Sequence, residues 1–293
     1  MIKQGLFVGM TTLDLVYLTG GLPRANQKIV ATDYTVSAGG PATNAAVTFN
    51  YLGDRAMLLS PIGLHPISNL VRADLARFGV TIRDLTPTHP DPPPVSSILV
   101  TESTGDRAVV SINAVKNQIA SDQIPANILD HIDVILIDGH QMEVGITIAT
   151  EAKARRIPVV LDGGSWKSGF DRLLPLVDYA LCSADFHPPN CQTVIEVLTY
   201  LSSLGIPYRA VSRGGATIVY QTNDQTGEIP VPAITTVDTL GAGDVLHGAF
   251  CHAILRMEFA PALTQAATIA SHSCCYFGTR QWMATLEPST LIP

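Results

Sequence analysis

The chain has 293 residues, of which 46% are hydrophobic and 15% are charged, and its formal net charge at pH 7 is -7. This composition predicts one large α/β domain or two small ones around a sizeable core, and it argues against nucleic acid as a partner. An odd cysteine count without a Cys-x-x-Cys pair, and no long apolar run free of polar residues, predict a cytoplasmic protein with no membrane partner.

The N-terminal part predicts one core strand and then an exposed β-rich stretch. Residues 6–9 are apolar and form the first strand, and Asp14 is placed in the loop that follows. An acid after a strand is a common ligand contact in open α/β sheets, although the same residue could cap a turn. Residues 28–38 are rich in Ile, Val, Thr and Tyr without a helical period, which predicts one or two exposed strands.

A segment of small residues then opens a helix. Gly39 and Gly40 make a turn, and Pro41 suits the first turn of a helix. Asn44 would project from that turn, where its amide can hydrogen-bond a hydroxyl group of a ligand. Close packing of a helix on a sheet also needs small residues, so both explanations of this segment stay open.

Two strand-like runs, 95–101 and 107–113, are joined by a short polar connection that contains Gly105. This pattern predicts a hairpin. Together with residues 28–38, the hairpin would form a small sheet that is separate from the main one.

From residue 130 onward, strand and helix patterns alternate regularly. Strands are predicted at 134–137, 157–161, 179–182, 208–211 and 216–220, and helices at 141–156 and 191–204. Such alternation is typical of a parallel sheet with helices on both faces. Acids and glycines follow several of these strands, which predicts a ligand site at one edge of the sheet.

The segment that runs from Val237 into an apolar helix pattern carries the most chemistry. Gly241 and Gly243 allow a tight turn, and the N–H groups at the start of the following helix would face an anion such as a phosphate. Asp244 would stand beside that phosphate, where its carboxylate can take a proton from a hydroxyl group. A glycine-rich turn with Asp244 as a helix cap is the alternative that these residues alone leave open.

The string from Asp238 to Asp244 resembles the Asp-Thr-x-Gly-Ala-Gly-Asp signature of the ribokinase-like (phosphofructokinase B) family of carbohydrate kinases, with every fixed position present. The segment from Gly39 to Asn44 resembles the second signature of that family. The resemblance spans nearly the whole chain. It implies one domain over residues 1–293, with a central, mostly parallel sheet, helices on both faces, and a small β-sheet lid from about 28–38 and 95–113.

The resemblance also implies an activity, which is ATP-dependent phosphorylation of a hydroxyl on a small sugar, either a ketose or a related carbohydrate. Asp244 is expected to be the base, and the N–H groups of the loop would stabilise the transferring phosphoryl group; these belong to Gly241, Ala242 and Gly243. The expected sugar contacts are Asp14, Gly39, Gly40, Asn44 and Arg107, of which Arg107 is equally well explained as an exposed hairpin charge. The expected ATP contacts are Ser212, Gly214, Gly241, Gly243, Cys274 and Gly278. Mg²⁺ would bridge ATP oxygens, and Asp238 marks a neighbourhood that binds potassium in many relatives.

One family motif is missing. Family members usually carry Asn-x-x-Glu after the strand at 179–182, a motif that helps to place Mg²⁺, but this chain has Ser183-Ala184-Asp185-Phe186. The ketohexokinase-like branch also lacks the motif, so that branch is the closest match, and how Mg²⁺ is held stays open. Two alternatives remain, namely a nucleoside or other small-alcohol kinase, and a sugar- or nucleotide-binding sensor without turnover.

Two further expectations concern assembly and metal binding. Family members often pair through the lid, so a homodimer is expected. His247 and Cys251 are four residues apart on a predicted helix, a spacing that could hold a metal ion. A packed histidine and a buried thiol are the favoured interpretation, because no third ligand is evident nearby.

Overall fold

The computed structural model describes residues 1–112 and 118–287, and Asn113, the last residue of the predicted lid segment, lies outside them. In this part of the chain the strands are β1 (Gln4–Val8), β2 (Thr12–Thr19), β3 (Asp33–Gly39), β4 (Arg55–Ser60), β5 (Thr81–Asp84), β6 (Val95–Thr101), β7 (Arg107–Ser111), β8 (Val134–Ile137), β9 (Val159–Gly163), β10 (Tyr179–Ser183), β11 (Tyr208–Arg213), β12 (Ala216–Gln221) and β13 (Thr226–Ile229). The helices are α1 (Pro41–Tyr51), α2 (Ser68–Arg77), α3 (Met142–Arg155), α4 (Phe170–Leu173), α5 (Val194–Ser203), α6 (Ala242–Ile254) and α7 (Phe259–Ser273). Short 3₁₀ helices lie at Ser121–Gln123, Leu174–Leu176 and Gln281–Ala284.

The main sheet has nine strands in the order β13-β12-β11-β10-β9-β8-β1-β4-β5. Neighbouring strands from β11 to β5 are parallel, and β12 and β13 add an antiparallel edge. The predicted mostly parallel sheet is therefore confirmed. Because parallel strands end at the same edge, the acids Asp138 and Asp162, at the ends of β8 and β9, lie on one side of the molecule.

Helices cover both faces of this sheet, as predicted. Side chains of β1 alternate between two cores, because successive residues of a strand point to opposite faces. Phe7 packs in a cluster with Phe49 of α1 and Phe250 of α6, whereas Val8 packs in a second cluster with Ile148 of α3. Among the described residues, no helix is both long and apolar enough to cross a membrane.

Helices α1 and α6 pack closely because small residues line their contact. A Cβ atom on Gly248 of α6 would lie 2.4 Å from the carbonyl oxygen of Ala45 on α1, so only glycine allows this approach. The first turns of the two helices meet at the same end of the contact, where Asn44 and Asp244 lie. Helix packing therefore brings the two sequence signatures together.

The separate small sheet has the order β3-β2-β6-β7. Strands β6 and β7 form the predicted antiparallel hairpin. The sequence did not predict β2, and it placed Asp14 in a loop, which was wrong. Strand β2 alternates between two faces, and its acid is tolerated inside the strand because the hydroxyl group of Thr12 donates to its carboxylate.

The start of the lid segment also differs from the prediction. Strand β3 begins at Asp33 rather than at residue 28. Gly227 and Glu228 lie inside β13, where Gly227 packs against the ring of Tyr220 on β12. A Cβ atom at this glycine would lie 2.6 Å from the Tyr220 hydroxyl oxygen, which explains why a glycine stands in a strand.

Candidate active site

Helix α6 begins inside the glycine-rich loop. Gly241 caps the helix with φ 71°, and a Cβ atom there would lie 2.8 Å from Cγ2 of Thr279, so backbone and space both require glycine. The helix starts at Ala242, so Asp244 belongs to its first turn rather than preceding it. A Cβ atom on the exposed Gly243 would meet nothing within 4 Å. The loop therefore presents a helix N-terminus to open space, which is an arrangement that binds anions.

Asp244 lies at this N-terminus in a partly buried position. The side-chain amide of Asn44 donates a hydrogen bond of 2.7 Å to its carboxylate. Burial raises the pKa of Asp244 to about 7, and the negative charge of Asp162 adds to this rise. The hydrogen bond from Asn44 and the nearby His247 oppose the rise, while Asp14 adds a smaller increase. A carboxyl group with a pKa near neutrality is suited to accept and release a proton.

His247 lies under the loop, one turn after Asp244. Its Nδ1 lies 2.7 Å from the carbonyl oxygen of Gly243 and 3.4 Å from Oδ2 of Asp162, and its Nε2 lies 3.1 Å from the carbonyl oxygen of Leu181. All three partners are acceptors, so each ring nitrogen faces an acceptor. This histidine is occupied by backbone contacts, as the packed interpretation expects.

No cluster of three or more His, Cys, Asp or Glu side chains able to hold a metal ion occurs in residues 1–112 and 118–287. Cys251 is a buried free thiol, and burial raises its pKa strongly. The favoured interpretation of His247 and Cys251 as packed residues therefore agrees with their surroundings.

Asp14 and the two glycines of the second signature lie together. Asp14 is only 5% exposed, and it accepts a 2.6 Å hydrogen bond from the hydroxyl group of Thr12. Burial raises its pKa, although hydrogen bonds from Thr12 and Ser96 and the charge of Arg280 oppose that rise. A Cβ atom on Gly39 would lie 1.9 Å from Oδ2 of Asp14. The buried acid therefore explains the first glycine of the pair.

Gly40 is needed for a different reason. It caps α1 with φ 98°, and a Cβ atom there would lie 2.3 Å from the carbonyl oxygen of Met10. The segment after β1 is held in place by Asp138, whose carboxylate accepts the N–H group of Met10 at 2.9 Å and that of Ala42 at 3.3 Å. Burial would raise the pKa of Asp138, but the adjacent His140 and the backbone donors lower it overall. This acid therefore ties the end of β1 to the start of α1.

Arg280 is the residue that sequence analysis missed. Its guanidinium group donates to Oδ1 of Asn44 at 2.9 Å and to the carbonyl oxygen of Ala38 at 2.7 Å, and it lies 3.4 Å from Oδ2 of Asp74. Burial lowers its pKa, although Asp74 and the acids of the site oppose that effect. A lone arginine that ends a long uncharged run, from residue 259 to 279, is the signal that could have found it.

The predicted ATP contacts outside the signature loop lie in two places. Ser212 lies one residue before the end of β11, and its hydroxyl group donates to the carbonyl oxygen of Cys182 at 3.3 Å. Gly214 turns the chain into β12 with φ 61°. Cys274 ends α7, and its carbonyl oxygen accepts the N–H groups of Val237 and Asp238 at 2.8 and 3.2 Å. The end of α7 therefore holds the start of the signature loop.

Asp238 binds the loop to the segment after α7. Its carboxylate accepts the N–H groups of Leu240 at 2.8 Å and Gly278 at 2.9 Å. Burial raises its pKa, and the two backbone donors and the charge of Arg107 oppose this. Gly278 has φ 71°, a conformation that favours glycine.

Arg107 lies at the lid hairpin and contacts the signature loop. Its guanidinium group donates to the hydroxyl oxygen of Thr239 at 2.8 Å and to the carbonyl oxygen of the same residue at 3.1 Å. The hydroxyl group of Thr239 also donates to the carbonyl oxygen of Gly105 at 3.4 Å. The lid and the loop are therefore in direct contact, and a contact of Arg107 with sugar stays a prediction.

The stretch that replaces Asn-x-x-Glu forms a turn. The hydroxyl group of Ser183 donates to the carbonyl oxygen of Gly164 at 2.6 Å and accepts from the N–H group of Asp185 at 3.1 Å. Phe186 is buried against the rings of Trp166 and Phe170. Packing, rather than a carboxylate, therefore occupies the position where the motif would end.

The raised pKa of Asp244 predicts how stability depends on pH. Because the folded-state pKa is about 7 and the ordinary value is 3.8, the folded protein keeps a proton that the unfolded chain loses. The contribution of this carboxyl group is therefore most favourable below about pH 4 and is lost as pH rises to about 7. Asp244→Asn should have a higher melting temperature than the parent at pH 8 and about the same melting temperature at pH 4. Each kcal/mol of added stability should raise the melting temperature by about 2–4 °C.

The exposed Asp185 is the matched control for this measurement. Asp185→Asn should change the melting temperature by the same small amount at both pH values. A melting-temperature difference for Asp244→Asn that does not change between pH 4 and pH 8 would contradict the raised pKa.

Comparisons with known proteins agree with this arrangement. A family model described as pfkB family carbohydrate kinase matches residues 4–285. The chain is 24% identical over 289 residues to the ribokinase of Bacillus subtilis (strain 168), with 95% of each chain covered. Among solved structures, the ribokinase from Giardia lamblia has a TM-score of 0.81 and 18% identity, covering 97% of this chain and 98% of that chain.

Another similar structure is that of Arabidopsis thaliana ribokinase complexed with ribose and ATP. Its TM-score is 0.78 and its identity 20%, and the match covers 99% of this chain and 98% of that chain. These likenesses at low identity show the fold, and the family model covers most of the sequence. The chain therefore belongs to the pfkB family of carbohydrate kinases and is an ATP-dependent enzyme of that family.

Proposed function

We propose that this carbohydrate kinase transfers the γ-phosphoryl group of ATP to a hydroxyl group of a small sugar, a ketose or a related carbohydrate, with Asp244 as the base. The observation that carries the proposal is the position of Asp244. It lies in the first turn of α6, hydrogen-bonded to Asn44, with a pKa of about 7. The same helix end supplies a site for phosphate and a group for the proton.

The reaction needs few groups from the protein. The sugar hydroxyl gives its proton to the carboxylate of Asp244 while its oxygen forms a bond to the γ-phosphorus and the bond to the leaving ADP oxygen breaks. The N–H groups of Gly241, Ala242 and Gly243 face the charge that develops on the phosphoryl oxygens. The N–H group of Ala242 also lies 3.3 Å from the carbonyl oxygen of Thr239, which holds the turn in shape.

Mg²⁺ supplies charge neutralisation on the phosphate oxygens when it is bound with ATP. Such ions keep several waters and use only one or two protein carboxylates. The turn at Ser183–Phe186 directs a buried phenylalanine where the family motif has a glutamate. We therefore propose that this chain leaves most of the coordination to phosphate oxygens and water.

The sugar would lie between α1, the lid and α6. Asp14 and Asn44 present polar groups there, and Gly39 and Gly40 keep their own side of the pocket free of side chains. Arg107 is at the rim, bound to Thr239, and its contact with sugar would require the guanidinium group to serve both partners. The ketohexokinase-like branch stays a prediction.

ATP is proposed to lie beyond the loop, near Ser212, Gly214, Cys274 and Gly278. Potassium is proposed beside Asp238, whose buried carboxylate holds the loop through two backbone N–H groups. A cation there would reduce the cost of burying this charge and would stabilise the loop.

A screen of ATP consumption tests the proposal. The substrates are ketoses, aldoses, sugar acids and nucleosides, each in potassium and in sodium buffer. A nucleoside as the best substrate would favour the alternative kinase, and no turnover on any class would favour a sensor. Equal rates in the two buffers would remove potassium from the proposal.

Asp244→Asn should abolish most of the turnover while the protein stays folded. Asparagine keeps the size of the side chain and an oxygen that can accept from Asn44, but it lacks the basic carboxylate. We expect kcat on the best sugar to fall by about 10²–10⁴. ATP affinity should hold, because the proposed phosphate contacts are backbone N–H groups. A folded variant with the parent kcat would show that Asp244 is not the base.

Asp14→Ala should raise the KM for sugar by about one to three orders of magnitude, because a charged hydrogen bond in a buried site is lost. The KM for ATP should change little. Asp33→Ala is the control, since Asp33 is exposed at the start of the same small sheet. If the KM for sugar is unaffected by Asp14→Ala, this acid is only a structural partner of Thr12.

The outer face of the lid is the proposed dimer contact. Strand pairing places Val36 opposite Leu15, and Tyr34 opposite Tyr17, on this face. Val110 is on the same face of the hairpin and is 77% exposed, and Tyr34 is 68% exposed. An exposed apolar sheet face with open edges is typical of an interaction surface.

Val110→Asp combined with Tyr34→Asp should convert the proposed dimer into a monomer, because two charges would have to be buried in the contact. Ile195→Asp is the matched control, since Ile195 is an equally exposed apolar residue (75%) on α5. Light scattering after size exclusion measures the mass of each variant. A monomeric parent protein at micromolar concentration would contradict the lid contact.

A further inference from the structure

Arg280 is a buried charge without a role in the mechanism described so far. Its side chain is 12% exposed, and it makes contacts to three separate segments as well as to its neighbour Thr279. The guanidinium group donates to the carbonyl oxygen of Ala38 at the end of β3 and pairs with Asp74 on α2. It also lies over the ring of Phe78 at 5.5 Å. These contacts fix the guanidinium group in one place.

The remaining contact connects Arg280 to the base. Nη1 of Arg280 donates to Oδ1 of Asn44 at 2.9 Å, and Nδ2 of Asn44 donates to Oδ2 of Asp244 at 2.7 Å. An arginine offers only donors and an ionised carboxylate offers only acceptors. The amide between them can therefore satisfy both neighbours in one orientation only, with its oxygen toward Arg280 and its nitrogen toward Asp244.

We propose that Arg280 is a positioning residue that fixes the amide of Asn44, so that Asn44 donates to Asp244 and holds its carboxylate ready to accept the sugar proton. The proposal rests on the proposed role of Asp244 as the base. Asn44 has a second N–H group on the same nitrogen, and this is the one that the proposed sugar contact would use. The described side-chain hydrogen bonds of Arg280 go to Asn44, Thr279, Ala38 and Asp74 rather than to Asp244, so its effect on the base would pass through Asn44.

The charges around Asp244 give the proposal a measurable consequence. Asp162 faces Asp244 from β9, Asp14 faces it from β2, and His247 faces it from α6. Arg280 supplies a further positive charge near both Asp14 and Asp244. If Arg280 is removed, the ionised form of Asp244 loses an attractive charge and an oriented hydrogen bond, so a higher pH is needed to ionise the base.

Lysine cannot replace this arginine. The planar guanidinium group reaches the acceptors on Ala38, Asn44 and Asp74 at the same time, whereas an ammonium group is a single charged point. Arg280→Lys therefore separates the two effects of the residue. It keeps a positive charge near Asp244 but loses the fixed orientation of Asn44.

The first experiment measures kcat against pH, on the best sugar from the screen, for the parent protein, Arg280→Met and Arg280→Lys. We expect Arg280→Met to lower kcat at pH 7 by about tenfold to a hundredfold, because the reacting groups lose their alignment. The acidic limb of its profile should move to higher pH by about one unit. Arg280→Lys should lose a similar factor in kcat with a smaller movement of the limb, and it serves as the main variant if Arg280→Met does not fold.

The second experiment tests whether Arg280 acts through Asn44. Asn44→Ala and the double variant Asn44→Ala/Arg280→Met complete a double-mutant cycle with the single variants. If Asn44 transmits the alignment effect, Arg280→Met should change kcat on the pH-independent plateau by less than about threefold in the Asn44→Ala background. The full factor of the single variant in that background would overturn the proposal. When Arg280→Met does not fold, Arg280→Lys takes its place in the cycle.

A readout without turnover separates failure of this inference from failure of the proposed function. Carbon-13 NMR of labelled aspartate, with the Asp244 signal assigned by its loss in Asp244→Asn, follows the ionisation of the carboxyl group in the absence of substrates. Its midpoint should be higher in Arg280→Met than in the parent protein. If the parent protein shows no kinase activity but Arg280→Met still raises the Asp244 midpoint, the proposed function is contradicted. The coupling between Arg280 and Asp244 would then still hold.

Arg256→Met is the matched control. Arg256 also pairs with a buried carboxylate, Asp54, at 2.6 Å, but it lies beyond the opposite end of α6. Its loss should lower the melting temperature without changing the pH profile. A folded Arg280 variant with the parent kcat and the parent acidic limb would overturn the inference, as would the same change of profile in Arg256→Met.

Discussion

The hydrogen bond between Asn44 and Asp244 is the contact on which the site depends. It joins the first turns of two helices that are 200 positions apart in the sequence. The helices can meet there only because Gly248 lets α6 lie against the backbone of α1 at Ala45. A larger residue at position 248 would separate the first turns of α1 and α6. Asp244 would then lose its hydrogen bond from Asn44, although the substitution lies one turn further along α6. Tight packing of α1 on α6 thus positions the proposed base.

The lid is connected to the same loop from the other side. Arg107 and Gly105 of the hairpin contact Thr239, two positions before Gly241. The loop is also held by Asp238, which accepts the N–H group of Leu240 within the loop and that of Gly278 in the segment after α7. If the lid moves, the contacts of Arg107 and Gly105 with Thr239 must break or the loop must move with the lid. In either case the shape of the proposed anion site would change. This link gives Arg107 a structural role that is independent of any contact with sugar.

The sequence predicted most of the fold because its signals are local. Regular alternation after residue 130 is enough to predict a parallel sheet, and Gly39 to Asn44 and Asp238 to Asp244 are contiguous strings that predict a ligand site. Strand β2 was missed because Asp14 looks like a loop residue, and its tolerance inside a strand depends on Thr12, Ser96 and Gly39. Only pairing with β3 and β6 shows that it is a strand.

Arg280 could not be placed from sequence for a related reason. Its partners Ala38, Asn44 and Asp74 come from distant parts of the chain, and no spacing pattern connects them. The same holds for the position of Asp162 beside Asp244, because two separate strand and helix ends must first be brought together. Local patterns predict which residue types can do chemistry, whereas the electrostatics of the site arise from long-range contacts.

Those long-range contacts leave the site with more negative than positive charge. Asp14, Asp162 and Asp244 are gathered at one edge of the sheet, and the nearby positive or donating groups are Arg280, His247 and the N-terminus of α6. Such an excess of acids opposes folding at neutral pH, because burial without full compensation disfavours ionised carboxylates. The same excess of acids helps to keep the pKa of Asp244 near 7, where the proposed base can both accept and release a proton. Burial of these acids therefore costs stability at the position of the proposed base. The hydrogen bond from Asn44, whose amide Arg280 is proposed to orient, limits how far the pKa of Asp244 rises.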